Sequence, residues 1–109
     1  MPSEALIELE RAVALCPTFA DLRTRLATLY RDTGQKERAR EQLEMAKQHN
    51  PNYVQARVLL GVALLSAGEY DAAIGEFEDV LQRDAEHKGA QMYLKIAQTQ
   101  QRQSLFPPA

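Results

Sequence analysis

Tryptophan is absent from this chain, cysteine occurs once, and long apolar runs are missing. A lone Cys16 cannot close an internal disulfide, so no bridge framework is available, and it fits a reducing, cytoplasmic compartment better than a secreted one. Charge of one sign is not in excess: 13 Lys and Arg stand against 15 Asp and Glu, for a net charge of −2. A broad electrostatic surface for nucleic acid or acidic lipid is therefore not expected. The longest apolar run, Val58 to Leu65, falls far short of the ~20 residues a membrane-spanning helix needs. No basic stretch followed by an apolar one opens the chain, so no signal peptide is expected.

Catalytic and metal-ligating residue types are equally sparse. His49 and His87 lie far apart in sequence, and with Cys16 they make no metal-ligand spacing. Ser3, Ser66 and Ser104 sit in no nucleophile-elbow context. No glycine-rich phosphate loop is present. The carboxylates Glu41, Glu44, Glu76, Glu78 and Asp79 have Arg38, Arg40 and Lys47 as neighbours at spacings that suit ion pairs on a solvated helix face. No catalytic constellation and no cofactor site is expected.

What remains is Ala, Leu, Glu, Gln and Arg in plenty, the composition of an all-helical protein. At 109 residues the chain amounts to one domain, able to bury roughly two-thirds of its unfolded surface. Its order comes from a repeat. Pro17 and Pro51 are 34 residues apart, as are Gly34 and Gly68. Ala5, Ala39 and Ala73 recur at the same step, as do Leu9, Leu43 and Phe77, and Leu26, Leu60 and Leu94. Residues 1–17 and 35–51 share five identities, where ordinary composition gives roughly one.

Each period holds two amphipathic helical patterns, about 18–33 then 37–49, and again 52–67 then 70–84. Thr18 with Asp21, and Asn52 with Gln55, read as N-terminal capping pairs. Gly34 ends the first helix, and Asn50-Pro51 stops the second. A second-type helix without its partner precedes, over 3–15, and a first-type helix follows, over about 86–103.

This 34-residue helix–turn–helix period, with Leu26 or Leu60-Gly61, Tyr30, Ala39 or Ala73, Leu43 or Phe77, and Pro17 or Pro51, resembles the tetratricopeptide repeat (TPR) family. It departs from the pattern at Arg23 and Arg57, where the family usually has Trp, at Leu64 in place of Tyr, and at Ala85 in place of Pro. The resemblance implies an all-α, right-handed α-solenoid of antiparallel helix pairs. Its parts would be an N-terminal half repeat (1–17), two full repeats (18–51 and 52–85), a capping helix (86–104) and a tail (105–109). It also implies that Gly61 faces Ala73, and Ala27 faces Ala39, across each hairpin. Small residues there let helices approach to the short end of ~8–10 Å. Gly75 falls on the outer face, with no evident reason for glycine.

The two ends differ. On the last helix Gln91, Lys95 and Gln98 replace Arg57, Gly61 and Leu64, which caps the array with polar side chains. Residues 3–15 instead carry Leu6, Ile7, Leu9, Val13 and Leu15 on more than one face. That start in mid-repeat is expected of a piece of a longer array, and Leu6 and Ile7 are expected to be exposed and to support self-association as a homodimer.

By resemblance the first helix of each pair lines a concave groove. The lining would include Thr24, Arg25, Thr28 and Arg31, then Gln55, Val58, Leu59 and Val62, then Met92, Tyr93 and Ile96. The apolar members are surplus to the inward stripe of Leu60, Leu64, Leu94 and Ala97, and surplus apolar surface marks an interface. They could instead be core of a tightly wound short array. Some relatives grip acidic chaperone C-terminal tails with Lys, Asn and Arg. The corresponding Thr24, Thr28, Leu59, Gly89 and Tyr93 are none of these, which argues against such tails. The first reading is a non-catalytic protein-interaction module for an apolar or amphipathic peptide or helix. A self-associating structural module and a regulatory appendage of a larger enzyme stand as alternatives.

Overall fold

The computed structural model describes residues 2–106, with side chains from Glu4. Pro107, Pro108 and Ala109 of the expected tail lie outside the described residues. Six helices and no strand occur among those residues: α1 (Pro2–Leu15), α2 (Ala20–Asp32), α3 (Lys36–His49), α4 (Val54–Ser66), α5 (Tyr70–Arg83) and α6 (Lys88–Leu105). The fold is an all-α helical repeat. The chain divides into two compact units within α4, the first ending at Ala56 and the second beginning at Arg57.

The helix ends follow from backbone chemistry. Gly34 and Gly68 have φ of +81° and +77°, a conformation glycine adopts without a Cβ penalty. Each closes its helix the same way: Gly34 N–H donates to Arg31 O and Gln35 N–H to Tyr30 O, while Gly68 N–H donates to Leu65 O and Glu69 N–H to Leu64 O. Two orphan carbonyls per helix are satisfied by this paired arrangement.

The expected cap at Thr18 does not form. α2 starts at Ala20 with Phe19 at its N-cap and no side-chain cap bond, so Thr18 lies outside the helix. α4 starts at Val54, and Asn52 sits in a turn where its N–H donates to Asn50 Oδ1. A main-chain turn of one pattern leads into each of the helices α2, α4 and α6. Phe19 N–H donates to Cys16 O, Tyr53 N–H to Asn50 O, and His87 N–H to Asp84 O, at 3.0–3.1 Å. The third corner adds a true cap, since His87 Nδ1 accepts from Ala90 N–H at 3.0 Å.

In the first unit Val13, Ala20, Leu26, Ala27, Ala39, Leu43 and Ala46 form the core. Buried Tyr30 donates its hydroxyl to Glu10 Oε2 at 3.1 Å, tying α2 to α1, and Arg38 lies over its ring. Burial first, then the bond to Glu10 and its charge, push that hydroxyl above its ordinary value near 10, with Arg38 pulling the other way. It therefore stays protonated and donating at neutral pH. Arg23 is only 5% exposed. It donates to Pro17 O at 2.7 Å, to Gln42 Oε1 at 2.8 Å and to Met45 Sδ at 3.3 Å.

The second unit repeats this plan with charge. Arg57, 7% exposed, donates to Asp79 Oδ2 at 2.6 Å and lies 3.6 Å from Glu76 Oε1. Residues 76 and 79 are 42 and 45 one period later, so the same bridge is neutral in one unit and ionic in the next. Glu76 and Asp79 thus turn to a buried guanidinium, which corrects their reading as members of a solvated face. Lys47 and Glu44 do form a surface pair, at 3.4 Å. Gln91, the third member of the arginine series, donates to Ala85 O at 2.8 Å as Arg23 does to Pro17 O.

Leu60, Leu64, Ala73, Phe77, Val80, Ala90 and Ala97 make the second core. Phe77 is 0% exposed and decides its geometry. A Cβ on Gly61 would lie 2.5 Å from Phe77 Cε1 and 2.7 Å from Cζ. The three nearest atoms all belong to that ring and none to Ala73, so the expected Gly61–Ala73 facing gives way to Gly61 against Phe77. In the first unit the corresponding pair is Ala27 and Leu43. A methyl gained on one helix is matched by a smaller side chain on the other. Gly75 is exposed with open space around its missing Cβ, and nothing in the structure requires glycine there.

Overpacking costs ~1–3 kcal/mol and outweighs the ~1 kcal/mol helix gain of Ala over Gly. Gly61→Ala should therefore lower stability in urea melts, whereas Gly75→Ala should raise it by up to ~1 kcal/mol. Combined with Phe77→Leu, Gly61→Ala should become favourable, with a coupling of ~1 kcal/mol or more. Strict additivity would contradict the contact. Asp79→Ala should cost about 1–2 kcal/mol, against a few tenths for Glu44→Ala in the surface pair.

Candidate functional site

The residues expected to line a groove fall in both units. In the first, Thr24 is not available to a partner: it is 4% exposed and its hydroxyl donates to Ala20 O at 2.8 Å. Facing the core, a threonine satisfies its hydroxyl by bonding back to the preceding turn. Thr28 does the same to Thr24 O at 3.1 Å and is half-buried. Arg25 and Arg31 are exposed, and Arg31 pairs with Asp32 at 3.4 Å. Gln55 is exposed and accepts from the Tyr53 hydroxyl at 3.0 Å.

The apolar members all belong to the second unit. On α4, Val58, Leu59, Val62 and Leu65 are half-buried, while Leu60 and Leu64 on the same helix are buried. Two stripes therefore run along α4, one filling the core and one only partly covered. On α6, Met92 is 51% exposed, and Tyr93 and Ile96 are half-buried. Tyr93 has a second task. Its ring stacks on Phe77 with centroids 5.7 Å apart and planes 16° apart, the offset arrangement aromatic pairs favour. Tyr93 is thus part core, as the competing reading of this apolar set required, whereas Met92 takes no such part.

Leu6 is half-buried, and of the two residues assigned to self-association only Ile7, at 48% exposure, is open. Other apolar side chains are also exposed, among them Phe19, which the sequence reading does not single out. Leu15 is 83% exposed and Phe19 lies beside the same α1–α2 corner, also exposed. At the opposite end of the chain, Leu105 and Phe106 are exposed. Leu105 borders an open depression of about 400 Å³ between the start of α5 and the end of α6, lined also by Gly68, Tyr70, Asp71 and Gln101. Gln101 donates to Asp71 there. Phe19 recurs as Tyr53 and His87 one and two periods on, the only sequence signal that could have drawn attention to it.

Among the described residues no group of three His, Cys, Asp or Glu side chains could hold a metal ion, and no helix is long and apolar enough to cross a membrane.

A family model for the tetratricopeptide repeat matches residues 24–93. No curated protein gives a significant sequence match. Among solved structures, the Sgt2 TPR domain from Aspergillus fumigatus is 23% identical with a TM-score of 0.87, over 99% of this chain and 75% of that one. The first TPR of Spaghetti (RPAP3), bound to the HSP90 peptide SRMEEVD, is 20% identical with a TM-score of 0.86, over 93% and 82%. YrrB, a TPR protein with an unusual peptide-binding site, is 26% identical with a TM-score of 0.81, over 94% and 53%.

The stacked position of Tyr93 separates it from its neighbour. Tyr93→Ala should destabilise by about 2 kcal/mol, whereas Met92→Ala should leave the denaturation midpoint within ~0.5 kcal/mol of the parent. Equal losses in chemical denaturation would remove the distinction.

Proposed function

We propose that this chain, which belongs to the tetratricopeptide repeat family, is a non-catalytic protein-interaction module that binds an apolar or amphipathic peptide or helix on the second unit. The observation that carries the reading is the second stripe on α4. Val58, Leu59, Val62 and Leu65 stay partly exposed beside a stripe that already fills the core, and Met92 and Ile96 are spaced for one face of α6. Binding would rest on burial of that surface, at roughly 25 cal/mol per Å² of apolar area before the costs of association.

Peptide binding by Spaghetti and YrrB supports the class of partner. The HSP90 peptide SRMEEVD ends in acidic residues, and positions 24, 28, 59, 89 and 93 of this chain offer it no Lys, Asn or Arg. We therefore rank apolar helices above acidic tails. Self-association through Leu6 and Ile7 has less to work with. One exposed isoleucine is far from the ~800 Å² per partner of a stable interface, and attachment to an enzyme is a property only a longer chain could show.

A panel of labelled amphipathic helical peptides and the peptide SRMEEVD, titrated into the chain, tests the ranking by fluorescence anisotropy. A helical peptide should saturate the chain, and Met92→Glu should weaken it at least tenfold, ~1.4 kcal/mol, with unchanged circular dichroism. Tighter binding of SRMEEVD, or indifference to Met92→Glu, would overturn the assignment.

A further inference from the structure

Acidic and basic residues alternate along most of this chain, but not on α6. Of the 15 acidic residues none falls between Lys88 and Leu105, whereas Lys88, Lys95 and Arg102 do. These three recur every seven residues and are all exposed. Seven residues make nearly two turns, about 10.5 Å of helix, so the three cations stand in one row. Among the described residues none of them has an ion-pair partner.

The row runs against the electrostatics of its own helix. Lys88 opens α6, at the end where the macrodipole favours an anion. The first turns of α2, α3 and α5 carry Asp21, Glu37 and Asp71, as that rule expects, and the first turn of α6 carries no acid. Gln91 and Gln98, four residues before Lys95 and Arg102, stand where a glutamate would pair with them and support the helix. The cations therefore contribute nothing visible to the stability of α6.

What borders the row is apolar. Met92, between Lys88 and Lys95, is 51% exposed, and Ile96 follows on the same side, half-buried. Lys95 also limits what can lie over the row. Its counterparts Ala27 and Gly61 are buried, and a Cβ at Gly61 would already strike Phe77. An unpaired ammonium cannot take such a place. The row needs water or carboxylates over it, and not the apolar layer that covers positions 27 and 61.

We propose that the helix bound by the second unit is acidic along one edge. It lays its apolar face on Met92 and Ile96, and carboxylates at a seven-residue step meet Lys88, Lys95 and Arg102, as flanking charges do beside a coiled-coil seam. This rests on the second-unit reading and adds the charge of the occupant. Phosphates of nucleic acid or anionic lipid match less well. The net charge of −2, with Asp84 and Glu86 just before α6, repels an extended polyanion. An acidic edge beside an apolar face answers both features of α6.

Two fluorescein-labelled peptides provide the test, used dilute enough not to pair with themselves. Both carry leucine at the a and d positions of three heptads. One has glutamate at every e and g position, the other glutamine. An exposed ion pair is worth roughly twofold in affinity or more, so with three pairs the glutamate peptide should bind the full chain about tenfold tighter at low salt. The gap should close at high salt. It should also vanish in the Lys95→Glu, Arg102→Glu double variant, which should instead prefer a peptide with lysine at e and g. Lys88→Gln should narrow the gap without lowering the melting temperature. A lower melting temperature with an unchanged gap would assign that cation to stability and count against the proposal. Met92→Glu should weaken both peptides. If neither peptide saturates the chain, the second-unit reading falls and this inference with it. Equal binding of the two would overturn the inference alone. So would displacement of the glutamate peptide by oligothymidine or anionic vesicles, because the row would then belong to phosphates.

Discussion

A phenyl ring set into the space of a missing side chain holds the second unit together. Phe77 presents its edge to the backbone of Gly61 and its face to Tyr93, so α4, α5 and α6 meet on one residue. Full burial of such a ring is worth roughly 1.5–3 kcal/mol, but its position matters more than that sum. With Gly61 in place α4 can approach closely, and with Tyr93 stacked α6 takes a fixed lateral position. The partly covered stripe of α4 and the exposed Met92 on α6 are presented by helices whose placement this ring decides.

The first unit reaches the same architecture by another division of volume. Ala27 and Leu43 fill the place that Gly61 and Phe77 fill one period later, and its arginine bridge is neutral where the next is ionic. A repeat fold thus conserves the sum across a contact rather than either residue. This explains how Arg23 and Arg57 serve where relatives usually place tryptophan. Each guanidinium is buried and reaches the neighbouring helix, Arg23 to Gln42 and Met45 and Arg57 to Glu76 and Asp79, and its aliphatic stem adds packing.

Much of this was legible in the sequence. The 34-residue step located all six helices to within a few residues, and the two left-handed glycines, the alanine–leucine stripe and the polar face of α6 followed from it. What was not legible lies across helices. A period states which positions are equivalent but not which atom each one meets. Gly61 was therefore assigned to Ala73 and not to Phe77, and Glu76 and Asp79 to water and not to Arg57. Local spacing also favoured side-chain caps at Thr18 and Asn52, where the chain enters α2 and α4 through a backbone turn. Of the expected site residues, Thr24 was lost because a hydroxyl can bond to its own preceding turn and sit in a core. Tyr93 was divided because one aromatic ring can serve a core with one face.

The three corners have a further consequence. At 16–19, 50–53 and 84–87 the chain reverses on a main-chain hydrogen bond of the same pattern, carrying Cys-Pro-Thr-Phe, Asn-Pro-Asn-Tyr and Asp-Ala-Glu-His. Closure on a shared main-chain bond makes the corners interchangeable parts. Any one could be transplanted into another's place with the helices on either side undisturbed. The second and third would each lose a side-chain bond in the exchange, from the Tyr53 hydroxyl to Gln55 and from Ala90 N–H to His87. Drift in these loops is thereby uncoupled from drift in the core, leaving their side chains open to acquire new contacts while the scaffold stays as it is.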